Sequence, residues 1–138
     1  MLTNTKAPYN ISTPSAQLAL AALSEEAIQG MQRKCQTLVE SRKQLQKSLE
    51  SLSALGVGDV IGGNDANFLM VPILNKDTRV PDNVRANRVY TELAENKGVV
   101  VRFRGKEAGC EGCLRITIGT PEENATLLEQ LRIALNDY

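Results

Sequence analysis

The amino-acid sequence predicts an α/β fold: a two-layer sandwich in which helices cover one face of a three- to four-stranded mixed sheet, preceded by a long N-terminal helix. Three observations support this class. Apolar residues recur at steps of three and four over residues 28–52, the spacing typical of one long helix. Residues 68–74 form a nearly continuous apolar run, and residues 114–118 alternate between apolar and polar side chains, as strands do. Helical patterns over residues 82–96 and 121–136 would supply the second layer.

The N-terminal part of the chain divides into a lead-in and a domain. Residues 1–14 predict an extended segment, because each of its two prolines disfavours the helical region for the residue before it. The alanine- and leucine-rich residues 15–23 predict a short helix. We therefore expect residues 1–23 to be a lead-in segment with a short helix, and residues 24–138 to form one small domain that begins with the long helix.

The long helix would be capped by Ser24, with Glu25 and Glu26 favourably placed at the positive end of the helix dipole. Its apolar seam consists of Ile28, Met31, Cys35, Leu38, Leu45, Leu49 and Leu52, with Arg42 at the one polar position. A helix of about 28 residues is about 42 Å long, whereas a compact chain of this length has a diameter under about 40 Å. Either two copies form a coiled coil, or part of the helix packs on protein outside this chain.

The middle of the chain predicts a strand, a helix and a second strand. A short strand around Val57, Val60 and Ile61 could precede the strand at 68–74, whose proline suggests an edge or a bulge. Asp82 can cap the following helix, with Val84, Val89, Tyr90 and Leu93 facing inward and Gly98 at its C-terminal end. Residues 99–103 predict the next strand. The intervening helix permits a parallel crossover, whereas the last two strands can pair as a hairpin.

The C-terminal helix has a strong start signal. Gly119 ends the preceding strand, Thr120 is a good N-cap, Pro121 suits the first helical position, and Glu123 can close a capping box. The helix predicted over residues 121–136 would bury Leu127, Leu128, Leu131 and Leu135.

Arg115 lies in the middle of the predicted strand at 114–118. Burying a guanidinium without a partner is costly, so this side chain either lies on a solvated face or meets a carboxylate or a phosphate. The residues alone leave both interpretations open. Arg102 lies in the neighbouring predicted strand, so hairpin pairing could bring the two guanidinium groups to one anion.

Four blocks of the sequence resemble histidinol-phosphate aminotransferases, which belong to the pyridoxal-phosphate aminotransferases with the aspartate-aminotransferase fold. The blocks are residues 6–12 (KAPYNIS), 65–69 (DANFL), 98–102 (GVVVR) and 112–124 (GCLRITIGTPEEN). They occur in the family's order and at plausible spacings, so the resemblance covers nearly the whole chain. It implies the C-terminal small domain of such an enzyme, and it favours packing of the long helix on a large domain outside this chain.

The resemblance also implies roles for the two arginines. The residue matching Arg115 binds the substrate phosphate and the α-carboxylate of glutamate, and the one matching Arg102 joins it at the phosphate and the distal carboxylate. The full-length enzyme would be a homodimer that uses pyridoxal phosphate to move an amino group between glutamate and imidazole acetol phosphate, with histidinol phosphate as the phosphorylated amine. Lys6 lacks the context of the cofactor lysine, which we expect upstream of Met1. We therefore assign no catalytic or cofactor-binding residue to this chain.

Composition limits the alternatives. Sixteen basic and sixteen acidic residues cancel, which argues against nucleic acid or an anionic membrane as partner, and nothing resembles a signal peptide or a membrane span, so we expect a cytoplasmic protein. The absence of histidine, with only Cys35 to join the pair Cys110 and Cys113, argues against a metal site. Alternatives are an aromatic aminotransferase, a threonine-phosphate decarboxylase, or a non-enzymatic helical interaction module.

Overall fold

A computed structural model describes residues 11–63 and 65–138. Of the extended segment predicted over residues 1–14, residues 1–10 lie outside the described residues, including Lys6 and most of the first motif block. The chain divides into two compact units, one ending at Gln36 and the other comprising residues 37–138. The division falls inside the long helix, and the boundary expected near residue 24 stays a prediction.

The described part of the first unit is helical. Helix α1, Thr13–Ala22, is capped by Ser12, whose hydroxyl accepts a hydrogen bond from the Ser15 amide at 3.3 Å. It begins two residues before the predicted start and has no buried residue. Helix α2, Glu25–Glu50, begins after Ser24, whose hydroxyl accepts from the Ala27 amide at 3.3 Å as the sequence predicts.

The seam of α2 is buried only in its C-terminal half. Leu45 and Leu49 are buried in the second unit, whereas Met31 and Leu38 are 56% and 39% exposed. Within the second unit, the buried residues of α2 therefore begin at Ser41. A 3₁₀ helix, Ser53–Leu55, follows and ends at Gly56, whose φ of 95° is in the left-handed region that glycine tolerates.

Three strands form the sheet of the second unit: β1 (Phe68–Pro72), β2 (Arg102–Phe103) and β3 (Cys113–Thr117). Their spatial order is β1–β3–β2, and both pairings are antiparallel. The expected hairpin between the last two strands is confirmed, but the sheet is antiparallel and not mixed. Strand β3 returns between β1 and β2, so these two run in the same direction without pairing.

The strands at the two edges of the sheet are shorter than the sequence predicts. The strand predicted over 99–103 is reduced to its last two residues, because only these pair with β3. The short strand expected near residue 60 is present as isolated bridges, Val57 to Ile73 and Ile61 to Met70, on the outer edge of β1. Pro72 lies in that edge strand, where its missing amide is tolerated.

Two helices complete the unit. Helix α3, Asn83–Glu95, contacts β2 and β3, and helix α4, Pro121–Asp137, contacts α3. Asp82 caps α3 by accepting from the Val84 and Arg85 amides at 2.8 and 3.0 Å. The Arg85 amide, together with the Asn75 side chain, lowers the pKa of this carboxyl group, since both donate to its charged form.

One side chain predicted to face inward does not. Val84 is 64% exposed, whereas Val89 and Leu93 are buried. A step of five residues rotates a helix position by about 140°, so Val84 is off the buried stripe. The core consists of side chains from all these elements: Leu45, Leu49 and Leu52; Leu69 and Val71; Val89 and Leu93; Leu114 and Ile116; Leu127, Leu131 and Leu135.

Candidate anion-binding site on the sheet

The strand register places Arg102 directly opposite Arg115. Cross-strand partners project from the same face of a sheet, so both arginines lie on one face. Leu114 and Ile116, the strand neighbours of Arg115, are buried in the core and therefore mark the other face, since successive side chains alternate. The sheet thus brings together the two arginines that the sequence singled out, on the face away from those core residues.

The two guanidinium groups differ in their surroundings. Arg102 is exposed, whereas Arg115 is half-buried, with its Cζ 5.3 Å from the centroid of the Phe68 ring. The Nε of Arg115 is buried and has no hydrogen-bond partner in the part of the chain that the structure describes. Among the described residues neither arginine forms an ion pair. Like charges directly opposite one another destabilise a sheet, so an anion that neutralised this pair would be favoured there.

A groove adjoins the exposed arginine. It has a volume of about 430 Å³ and is lined by Asn87, Tyr90, Arg102, Phe103, Arg104, Lys106 and Glu107. Arg104 forms an ion pair with Glu107 at 2.7 Å, so the charge of Arg104 is already balanced by a neighbouring carboxylate. A second groove of about 540 Å³ lies between residues 98–101 and the start of α4, and neither Arg102 nor Arg115 lines it.

The β2–β3 hairpin that pairs the arginines is held by Asn83, which the sequence reasoning did not identify. Its amide nitrogen donates to the Gly105 carbonyl at 3.0 Å, and its oxygen accepts from the Gly112 amide at 2.7 Å. These bonds tie both ends of the connecting loop to the start of α3. A Cβ at Gly105 would collide with the Asn83 oxygen, so the loop requires glycine at this close approach.

The turn after β3 is held by the predicted capping box and by a buried asparagine. The Thr120 hydroxyl accepts from the Glu123 amide at 3.2 Å, and the Glu123 carboxylate accepts from the Thr120 amide at 2.8 Å. Asn124 accepts from the Gly119 amide at 3.0 Å and donates to its carbonyl at 3.1 Å. The signal for Asn124 was present, because it is the one polar residue on the stripe that continues with Leu127 and Leu131.

Arg85 is the buried cation that sequence reasoning missed. It is 5% exposed, and its guanidinium donates to the carbonyls of Leu74, Leu55 (2.8 Å) and Leu135 (3.0 Å). It thereby joins the ends of β1, the 3₁₀ helix and α4, and burial lowers its pKa. Arg85 and Val89 are four residues apart and therefore share one face of α3. A charged residue on this apolar face was the sequence signal for a buried cation.

Cys113, the second residue of the cysteine pair, is a buried packing residue with a raised thiol pKa. Cys113 is fully buried, and burial raises the pKa of its thiol to about 11, with the neighbouring Cys110 adding to the shift. Redox-active CxxC motifs lower the pKa of the attacking thiol instead. Among residues 11–63 and 65–138, no three His, Cys, Asp or Glu side chains are grouped so that they could hold a metal ion.

We expect the three thiols to react in the order of their exposure. At pH 8 a thiol with this pKa is about 0.1% ionised, against about a quarter for an ordinary cysteine. Under native conditions, a disulfide reagent such as DTNB should therefore modify exposed Cys35 about two orders of magnitude faster than Cys113. Peptide mass spectrometry over a time course measures this. Equal rates at Cys35 and Cys113 without denaturant would contradict the burial of Cys113.

Comparison with known proteins places the chain in a family. The family model for aminotransferase class I and II matches residues 1–131. The chain therefore belongs to the class I and II aminotransferases, a family that generally depends on pyridoxal phosphate. None of the helices described here is long and apolar enough to cross a membrane.

Two of the most similar curated relatives are histidinol-phosphate aminotransferases. The histidinol-phosphate aminotransferase of Schizosaccharomyces pombe is 42% identical over 139 residues, a match that covers 100% of this chain and 36% of the relative. The enzyme of the same name from Saccharomyces cerevisiae is 42% identical over 94% of this chain and 32% of its own length. This chain thus spans about a third of the relatives it matches.

Two solved structures support the fold. A decarboxylase from Sulfurospirillum multivorans superposes with a TM-score of 0.75 at 22% identity, covering 98% of this chain and 32% of its own. A Bacillus anthracis aminotransferase gives a TM-score of 0.59 at 24% identity, covering 74% of this chain and 24% of its own. At sequence identities of 22% and 24%, the structural similarity confirms the α/β fold class but says nothing about the substrate.

The described residues do not offer a site for pyridoxal phosphate. The cofactor's aldehyde requires a lysine amine held beside it. Lys97 is half-buried and pairs with Glu92 at 3.7 Å. The other described lysines are exposed: Lys34, Lys43, Lys47, Lys76 and Lys106. We therefore derive no step of the chemistry from the cofactor on this part of the chain.

Proposed function

We propose that this chain is the C-terminal part of a histidinol-phosphate aminotransferase, a cytoplasmic enzyme of histidine biosynthesis. The full-length enzyme transfers an amino group between glutamate and imidazole acetol phosphate with pyridoxal phosphate. Residues 24–138 form its small domain and residues 1–23 the lead-in to it. The shared name of the most similar relatives supports this proposal. The observation that carries it is the opposition of Arg102 and Arg115 on one face of the sheet.

Two arginines side by side suit the chemistry of these substrates. Histidinol phosphate has a phosphate, and glutamate has two carboxylates, so each must present an anion to the same pocket in its own half-reaction. A guanidinium binds carboxylate and phosphate through two parallel hydrogen bonds, which fixes orientation as well as charge. The unpartnered Nε of Arg115 leaves one such donor unused within the described residues. We assign Arg115 as the central anion ligand and Arg102 as its partner.

The exposed part of the α2 seam belongs to the same proposal. Leu38 of the seam and its neighbour Val39 are large apolar side chains of the second unit that remain 39% and 37% exposed. Contiguous exposed apolar surface marks an interaction site. We assign it to contact with the large domain, which would supply the cofactor lysine and the homodimer interface. This accounts for the chain's match to only about a third of its relatives.

An amino-transfer assay on the full-length protein tests the function. With histidinol phosphate as donor and 2-oxoglutarate as acceptor, we expect glutamate to form, with little product when phenylalanine replaces histidinol phosphate. Release of carbon dioxide from threonine phosphate would identify a decarboxylase instead. Efficient transfer from phenylalanine with none from histidinol phosphate would contradict the assignment. The 138-residue chain alone should show no turnover and no single borohydride-trapped lysine adduct of pyridoxal phosphate.

A further inference from the structure

The ring of Phe68 lies beside the guanidinium of Arg115. Phe68 is the first residue of β1, and its register partner is Thr117, two residues from Arg115 on the same face of the sheet. Its half-buried ring has its centroid 5.3 Å from the Arg115 Cζ. This distance is within the roughly 6 Å over which an aromatic face attracts a cation.

The backbone just before Phe68 is held by two hydrogen bonds. The Asn67 carbonyl accepts from the Ile118 amide at 2.9 Å, which extends the β1–β3 pairing beyond Phe68. The Ala66 carbonyl accepts from the Arg42 guanidinium at 2.8 Å, which attaches the same segment to helix α2. The backbone that carries the Phe68 ring is therefore anchored to both strand β3 and helix α2.

The ring constrains the guanidinium without using its hydrogen-bond donors. An aromatic ring covers the flat face of a guanidinium, while the N–H groups point outward in its plane. Among the described residues, the buried Nε of Arg115 has no hydrogen-bond partner. Leucine at position 68 would keep the apolar contact but lose the flat face.

We infer that Phe68 is a positioning residue that sets the plane of the Arg115 guanidinium for the substrate anion. This rests on the proposed role of Arg115. Phe68 does not itself bind the anion; it reduces the orientations of Arg115 before the substrate arrives. Pre-organisation of this kind improves binding by lowering the entropy lost on association.

Steady-state kinetics of the full-length enzyme test the inference. Phe68→Leu should raise the KM for both histidinol phosphate and glutamate about 3- to 30-fold, with kcat changed less than about 2-fold. Phe68→Tyr retains the aromatic face and should restore both KM values. Met70→Leu is the matched control, because Met70 is the direct cross-strand partner of Arg115 but has no ring. Thermal midpoints of all variants verify folding.

A double-mutant cycle separates positioning from a structural effect. In an Arg115→Ala background, Phe68→Leu should leave both KM values unchanged, because there is no guanidinium to orient. Unchanged KM values for Phe68→Leu, while Arg115→Ala raises them, would overturn this inference and leave the proposed function standing. Equal effects of Phe68→Leu with and without Arg115 would also overturn it. No effect of Arg115→Ala would exclude Arg115 from the site and remove this inference with it, whereas the amino-transfer assay decides the proposed function.

Discussion

Replacing Arg115 by alanine in the full-length enzyme is expected to raise the KM for the amino donor and the phosphorylated substrate together. Truncating one partner of a desolvated charge pair costs roughly 2–5 kcal/mol, which corresponds to about 30- to several-thousand-fold weaker binding. The effect should appear with both substrates, because one guanidinium would hold the anion of each. Arg102→Ala should have the smaller effect, since Arg102 is exposed and its interactions are screened by water.

Two comparisons make this result specific. Arg115→Lys keeps the charge but loses the bidentate geometry, so its KM values should lie between those of the wild type and the alanine variant. Arg132→Ala removes an exposed arginine from α4 and should leave both KM values unchanged. Thermal unfolding of Arg115→Ala should show no loss of stability, because the change removes a like-charge pair from the sheet. Unchanged KM values for both substrates would exclude Arg115 from the site.

Replacing Arg85 by alanine is expected to destabilise the domain by about 3–5 kcal/mol, since the change removes a buried cation whose two terminal nitrogens donate to three backbone carbonyls. The carbonyls of Leu55, Leu74 and Leu135 would lose their donor in a region that water does not reach freely. The Leu135 carbonyl lies in the last turn of α4, so its helix also loses the favourable charge at its C-terminus. Urea denaturation followed by circular dichroism measures the loss.

Arg88 provides the matched control for this prediction. It lies on the same helix, three residues away, and is exposed. Arg88→Ala should change the free energy of unfolding by less than about 0.5 kcal/mol. Gly56→Ala should also disturb the packing of Arg85. A Cβ at residue 56 would overlap the Arg85 Nη1, and it would strain a backbone with φ of 95°. Equal stabilities of the Arg85 and Arg88 alanine variants would show that the three hydrogen bonds contribute nothing measurable.

Sequence reasoning identified the two arginines of the candidate site but not their supports. Arg102 and Arg115 were found from their places in predicted strands and from the motif blocks around them. Phe68 was read as the start of an apolar strand, and nothing local indicates that its ring meets a guanidinium. Asn124 is a buried polar residue of α4, and Asn83 is a half-buried one at the start of α3. The partner of Asn124, Gly119, is only five positions away, whereas Gly105 and Gly112 lie 22 and 29 positions from Asn83, so no local pattern indicates them.

Features that the sequence alone determined are those whose interactions are local. The cap of α3 at Asp82, the capping box of α4 and the cap of α2 at Ser24 each depend on residues within a few positions, and all three are as predicted. The alternation around Arg115 also assigned this side chain to the face opposite Leu114 and Ile116. Backbone hydrogen bonds and side-chain periodicity decide these features before the chain is compact.

Only the tertiary structure decided which strands are neighbours and which charges are buried. Strand β3 lies between β1 and β2, and this placement makes the sheet antiparallel and sets Arg102 opposite Arg115. Arg85 is buried because the ends of three separate elements present carbonyls at one point. These outcomes depend on contacts between residues more than ten positions apart. Their free energy comes from burial and pairing in the folded chain, which no local pattern contains.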